Sequence, residues 1–234
     1  MNHKSTLIYD LVNLKLNYNK RTVLQIGNLQ IHRGTIYGII GPIGSGKTSL
    51  LRALAGQVKP TSGSLKYDNQ EFSLNWFGKI KPNPTIKFIG GMLPQVNTVK
   101  QIIDDRFPKR RDRIFKLYFS SGAQKQIYSE KIEHLSPGEQ AWLNTILAVE
   151  SDPRVLLVDD YGIRIDSAML QEFNRRIMKM TRELGTTIIL SSVMADNIQN
   201  IASVLIYLDN GHICKIRPGK GRSNRGQQQR RRYN

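Results

Sequence analysis

The sequence predicts an α/β fold in which a phosphate-binding loop is set into a mixed sheet. An antiparallel β-layer lies ahead of the loop, and a short helical subdomain lies between the loop and the later strands. Three observations predict this. Residues 41–48 read Gly-Pro-Ile-Gly-Ser-Gly-Lys-Thr and match G-x-x-x-x-G-K-[ST] at every fixed position. Alternating apolar and polar residues precede the loop, the pattern of a half-buried strand. Far downstream, Val155–Val158 and Thr187–Leu190 are continuous apolar runs of the kind buried in a parallel sheet, with a helical stretch over 166–183 between them.

Taken in order, Leu11–Tyr18 and Val23–Ile26 alternate as antiparallel strands. Thr35–Ile40 is an apolar strand that enters the loop, and Ser49–Ala55 is a helix that leaves it. Short strands follow at Gly63–Asp68 and Thr85–Gly90. Residues 97–150 then read as helical, with apolar faces at Val99, Ile102 and Ile103, at Ile114, Phe115, Leu117 and Tyr118, and at Trp142, Leu143, Ile146 and Leu147. No internal repeat is visible.

The chemistry begins at the loop. Gly41, Gly44 and Gly46 allow a tight turn whose N–H groups point at phosphates, reinforced by the N-terminus of the helix that follows. Pro42, Ile43, Ser45 and Ser49 complete the nucleotide-binding stretch. Lys47 supplies a positive charge to the β- and γ-phosphates, and the Thr48 hydroxyl can take a Mg²⁺ coordination position.

Composition bounds the rest. The 234 residues are 39% hydrophobic, enough for one core with a small appended subdomain. There is no run of about 18 apolar residues to span a bilayer and no apolar secretory signal at the N-terminus. The single cysteine, Cys214, cannot form an intrachain disulfide, which agrees with a cytoplasmic location. The net charge of +17 is uneven: residues 215–234 hold eight Lys/Arg and no acid. This tail is expected to be disordered, since its Pro, Gly, Gln and Arg cannot bury enough apolar surface to offset chain entropy. Anionic lipid, nucleic acid or solvent alone could face it. A second basic cluster, Arg106, Lys109, Arg110, Arg111, Arg113 and Lys116, is read as lying between two helical stretches.

Two further motifs follow the loop in order: Leu135-Ser136-Pro137-Gly138-Glu139-Gln140, which opens a helix, and Arg154–Asp160, a buried strand ending on two carboxylates. With these the chain resembles, over about residues 8–216, the nucleotide-binding domain of ABC ATPases. The resemblance implies a P-loop NTPase of the ABC type with a RecA-like core sheet, the ABC domain at 1–214 with its helical subdomain at about 97–150, and the basic tail beyond.

The resemblance also implies roles. Tyr18 stacks on adenine. Gln95 reaches the Mg²⁺ and the attacking water and moves with a partner protein. Asp159 holds Mg²⁺ together with Thr48 and Gln95, Asp160 stands at the general base, and Asp166 communicates across a dimer. Ser136, Pro137, Gly138 and Glu139 open the helix whose N-terminus binds the γ-phosphate of ATP held by the opposite subunit. Proline is well tolerated at a first helical position, so Pro137 preserves that start. Two departures point to slow hydrolysis. Asp160 is one methylene shorter than the family's usual Glu, and Val193 stands at the family's switch histidine, where it can neither donate nor relay a proton. A displacement of about 1 Å costs on the order of 10²-fold in rate.

The leading expectation is therefore the ATP-binding subunit of an ABC transporter. It would form a homodimer or a heterodimer with another ABC subunit, bind MgATP, and act with a separate transmembrane permease as a peripheral protein at the cytoplasmic face of the membrane. The alternatives are a soluble ABC-type ATP clamp on nucleic acid or the ribosome, and a regulatory degenerate ABC subunit. A small-molecule kinase gives Leu135–Gln140 no role.

Overall fold

A computed structural model describes residues 6–90, 93, 97–120, 122, 124–163 and 167–221. Strands β1 (Leu7–Tyr18) and β2 (Arg21–His32) form a long antiparallel pair, followed by β3 (Ile36–Ile40), helix α1 (Lys47–Leu54), β4 (Ser62–Tyr67), β5 (Gln70–Glu71) and β6 (Ile86–Ile89). A helical region follows: α2 (Val99–Arg106), α3 (Arg111–Tyr118), α4 (Gln124–Ile127) and α5 (Pro137–Val149). The chain then returns through β7 (Val155–Val158), α6 (Ser167–Lys179), β8 (Thr187–Ser192), β9 (Val204–Asp209) and β10 (His212–Pro218).

These strands make two sheets. One runs β2-β1-β4-β5 with antiparallel pairing, and the other runs β10-β9-β3-β8-β7-β6. In the second sheet β9, β3, β8, β7 and β6 are mutually parallel, and β10 closes one edge antiparallel to β9. β3 shows why its sequence has no polar alternation. Tyr37 and Ile39 bury into the core shared with the β1–β2 layer and α1, while Ile36 and Ile40 bury on the opposite face beneath α6 and the end of α5. The helical region has a third core of its own, built on Val99, Ile102, Ile114, Phe119, Trp142 and Leu143. Leu117, expected on the apolar face of α3, is instead largely exposed.

Two expectations need correction. The segment expected to be disordered from residue 215 is ordered at its start: Lys215, Ile216, Arg217 and Pro218 pair with Tyr207, Ile206, Leu205 and Val204. Gly219 and Lys220 then donate backbone hydrogen bonds to Ser203 and Gln199. A segment laid along a free sheet edge gains a ladder of backbone hydrogen bonds, which composition alone does not register. The basic cluster lies only in part between helices, at Lys109 and Arg110. Arg106 ends α2, and Arg111, Arg113 and Lys116 are on α3 itself. Arg110, just before α3, is engaged by Asp152 at 2.8 Å. β9 and β10 were not anticipated at all, although Val204–Leu208 is an apolar run followed by Asn210-Gly211, the strongest short-range hairpin signal.

Among the described residues no helix is long and apolar enough to cross a membrane.

Candidate functional site

The loop Gly41–Gly46 leaves the C-terminal end of β3 and runs straight into α1, so the helix N-terminus faces the loop's concavity. The first N–H groups of a helix lack intrahelical partners. Gly46, the residue before α1, offers no side-chain cap and has φ +103°. Those donors are therefore left for an anion. The glycines differ in what they allow. A Cβ on Gly41 would lie 2.1 Å from the Leu208 carbonyl oxygen and 2.6 Å from Ser45 Oγ. At Gly44 (φ +81°) a Cβ would meet nothing within 4 Å, so that position opens onto space where a phosphate fits.

Lys47 is buried beneath the loop, and its Nζ donates to the carbonyls of Gly41 (2.7 Å) and Pro42 (2.9 Å). Burial lowers its pKa, while Asp160 and, to a smaller degree, Asp159 pull it back up. Both carboxylates thus act on the ammonium. Asp159 sits just past β7 with its carboxylate held from two sides: Thr48 Oγ1 donates to Oδ2 at 2.7 Å, and Ser191 Oγ donates to Oδ1 at 2.6 Å. Thr48 and Asp159 are 111 residues apart in sequence. Together they present adjacent hard oxygens, the donor type that Mg²⁺ prefers, and so fit that ion.

Asp160 is exposed, adopts a left-handed backbone (φ +51°), and donates its own N–H to Ser191 Oγ at 3.0 Å. Its carboxylate makes no hydrogen bond or ion pair among the described residues. Asp tolerates φ > 0 far better than longer side chains, so the local backbone favours Asp here. Val193, just past β8, is exposed.

Ser136 caps α5 in a reciprocal box. Its hydroxyl accepts from Glu139 N–H (3.3 Å), and Glu139 Oε2 accepts from Ser136 N (2.8 Å) and from Ser136 Oγ (2.7 Å). Pro137 occupies the first helical position. Ser136 and Pro137 are exposed, and no hydrogen bond or ion pair among the described residues joins 136–139 to the loop of the same chain. Ile43, at the loop's tip, is almost fully solvent-exposed. Ser49 lies in the first turn of α1, half-buried. Ser45 is buried, and Tyr18, at the end of β1, is 41% exposed, its ring accessible to a planar ligand. Gln95 and Asp166 lie outside the described residues.

Two participants escaped the sequence reading. Ser191 ties Asp159 to Asp160. Its only signal is a hydroxyl closing the apolar run of β8 beside the strand that carries the carboxylates. Gly211, in the β9–β10 turn, donates to the Ser45 carbonyl at 2.9 Å and accepts from Gln25 N at 2.8 Å, and so buttresses the loop from behind. A Cβ there would meet the Val23 carbonyl oxygen at 2.6 Å.

A glycine cradle at the end of a parallel strand, a buried lysine within it, and a strand-end aspartate against the loop threonine define a P-loop NTPase. The capped helix opening at Ser136 and the β1–β2 layer define its ABC type. The ABC transporter family model matches residues 24–161, more than half of the chain, and the chain belongs to that family. It is 27% identical over 215 residues to the lantibiotic transport ATP-binding protein SrtF of Streptococcus pyogenes, covering 91% of each chain. It is 30% identical to the zinc import ATP-binding protein ZnuC 2 of Hahella chejuensis, covering 89% of this chain and 81% of that one. Among solved structures, a dimeric bacterial ABC transporter cassette superposes with a TM-score of 0.77 at 21% identity, over 90% of this chain and 98% of that one.

Proposed function

We propose that this chain is the ATP-binding subunit of an ABC transporter. It binds MgATP, closes head-to-tail on a second copy or a near relative, and drives a separate transmembrane partner with slow hydrolysis. SrtF and ZnuC 2 are named for lantibiotic transport and zinc import, which supports the class. The observation that carries the reading is the exposed, serine-capped start of α5, an anion site that its own loop does not occupy.

In this reading the N–H groups of Gly44–Thr48 and the Lys47 ammonium bind the phosphates, and Tyr18 packs on the base. Thr48 and Asp159 hold Mg²⁺, joined by Gln95, and Mg²⁺ when bound neutralises phosphate charge. Ser191 keeps Asp159 aimed by occupying its second oxygen. Lys47 exchanges two carbonyl partners for phosphate oxygens, a gain because charge-assisted bonds are stronger. Asp160 takes the proton of the attacking water, but from a short side chain on a left-handed backbone. Val193 offers no donor in support, so turnover is slow. Asp166 has the role of communicating with the partner subunit, and Ser136 and Gly138 face that subunit's triphosphate. The permease, and a basic tail beyond residue 221 against anionic lipid or nucleic acid, hold the protein at the cytoplasmic membrane face.

The test is sedimentation of the purified chain with and without MgATP, beside steady-state hydrolysis. ATP-dependent pairing that Ser136→Ala weakens, with low turnover, is the expected result. Turnover of several per second by the chain alone would overturn the slow-hydrolysis part, and pairing indifferent to Ser136 would overturn the head-to-tail part.

A further inference from the structure

Between β5 and β6 the chain makes a projection that contributes no residue to the phosphate-loop site. Its base is anchored. Phe72 stacks on Tyr67 with ring centroids 6.0 Å apart, and Phe72 and Ile80 close over Gly56, where an added Cβ would lie 2.9 Å from Phe72. Leu74 and Ile80 form an antiparallel bridge. The turn above is tightly built. Asn75 N donates to Lys79 O (2.7 Å), Gly78 N donates to Asn75 O (3.0 Å), and Asn75 Oδ1 accepts from the N–H groups of Phe77 (3.0 Å) and Lys79 (2.9 Å).

This fixed turn carries Trp76 and Phe77 at its tip, 96% and 83% exposed, with Leu74 partly exposed beside them. Single exposed apolar residues are ordinary, but two adjacent large aromatics at the apex of an ordered turn expose a contiguous apolar tip. The flanking charge is mainly positive: Lys79, Lys81 and Lys87 lie between Phe72 and Gly90 with no acid among them, and Glu71 stands at the base.

We infer that the Trp76–Phe77 turn inserts into the interface of an anionic lipid leaflet. The chemistry fits at each point. Trp is favoured at the headgroup level, where its ring is buried and its indole N–H stays wet. Lysines one turn back can lay their stems along the apolar boundary and keep their ammonium groups among anionic headgroups. The tip is convex, so it enters a fluid interface without needing a preformed pocket. This contact is separate from the transport reading and from the basic tail, and either can fail without the other.

The test uses the full-length chain with vesicles of phosphatidylcholine alone or mixed with phosphatidylglycerol. The protein has two tryptophans, and Trp142 is buried in the helical core at 6% exposure, so a change on vesicle addition reports Trp76. Expected is a blue shift and quenching by bromolipid with the anionic vesicles, both suppressed at high salt. Trp76→Ala with Phe77→Ala should weaken vesicle partitioning by about tenfold or more while ATP affinity and circular dichroism stay unchanged. Lys79→Glu with Lys81→Glu should sharply reduce the Trp76 blue shift and bromolipid quenching with anionic vesicles, with the aromatics in place. The inference is overturned if Trp76 emission ignores anionic vesicles. It is equally overturned if the double alanine variant binds them as well as the parent, which assigns binding to other basic residues, or if emission shifts only when a membrane protein is present, which assigns the tip to a protein partner.

Discussion

In the proposed head-to-tail dimer, Glu139 stands at the start of α5 where the partner's γ-phosphate would bind. Its Oε2 lies 2.7 Å from Ser136 Oγ and accepts that hydroxyl's proton. A phosphate oxygen that took this hydroxyl's single proton would displace Glu139 Oε2 from it and leave the two anionic oxygens about 4–5 Å apart. Their repulsion is about 1 kcal/mol if fully solvated and about 4 kcal/mol at an effective dielectric of 20. Because Ser136 is exposed, the low end applies. A head-to-tail dimer contains the contact twice, so Glu139→Gln should favour pairing by about 2 kcal/mol, roughly 30-fold. Gln keeps a capping acceptor, so α5 loses only the charge–dipole contribution, about 0.3–1 kcal/mol of monomer stability. The assay is sedimentation equilibrium with MgATP, in an Asp160→Asn background to retain the nucleotide, at low and high salt. Unchanged or weaker pairing in Glu139→Gln at low salt, or a gain indifferent to salt, would refute the placement of a triphosphate at this helix start.

Other predictions follow from the geometry. Gly41→Ala forces a Cβ to 2.1 Å from the Leu208 carbonyl, so ATP binding measured by calorimetry should fall more than tenfold. The fold should lose about 1–3 kcal/mol, a melting temperature lower by several degrees. Glu150 is buried between α5 and β7, accepts the Tyr118 hydroxyl at 2.6 Å and faces Arg110, while Arg176 lies 4.3 Å over the Tyr118 ring. Glu150→Ala orphans that hydroxyl, while Arg110 keeps Asp152 and the residue-150 carbonyl, and should cost about 1–3 kcal/mol by denaturant unfolding, whereas Asp152→Ala, on the exposed side of Arg110, should cost under about 1 kcal/mol. Asp68 is raised by burial, but hydrogen bonds from Arg154 and Arg33 outweigh that and hold its pKa below the usual carboxylate value. A depressed folded-state pKa gives stability that is present above the unfolded value, near 3.9, and is lost as pH falls through the folded one. Arg154→Ala should therefore destabilise at neutral pH, with the difference from the parent shrinking below about pH 4 in thermal melts.

How much was legible depended on how local the signal was. The phosphate loop was readable because its requirements, left-handed or crowded backbone at fixed offsets followed by a cation and a hydroxyl, fall within eight consecutive residues. The capping box at Ser136 and Glu139 is likewise a three-residue relation. The buried strands announced themselves as apolar runs, since both faces of the second sheet are covered. The β9–β10 hairpin carried a usable signal in Asn210-Gly211, but the second half of β10 sits in a basic segment whose composition reads as disorder. Ser191 and Gly211 had no local signal, because each acts on residues brought beside it only by strand order.

The amino-acid order by itself determined the class of site: a glycine cradle followed at once by a cation and a hydroxyl, and a serine-led helix start, are each specified by residues a few positions apart, where backbone sterics and charge decide the outcome. Tertiary structure alone decided which groups share that site and how they are aimed. Placing β3 between β8 and β9, with β7 beyond β8, clamps Asp159 between Thr48 and Ser191 and seats Gly211 behind the loop. Those relations span tens to more than a hundred residues, and they arise from the burial of whole strands rather than from any short-range preference of the chain.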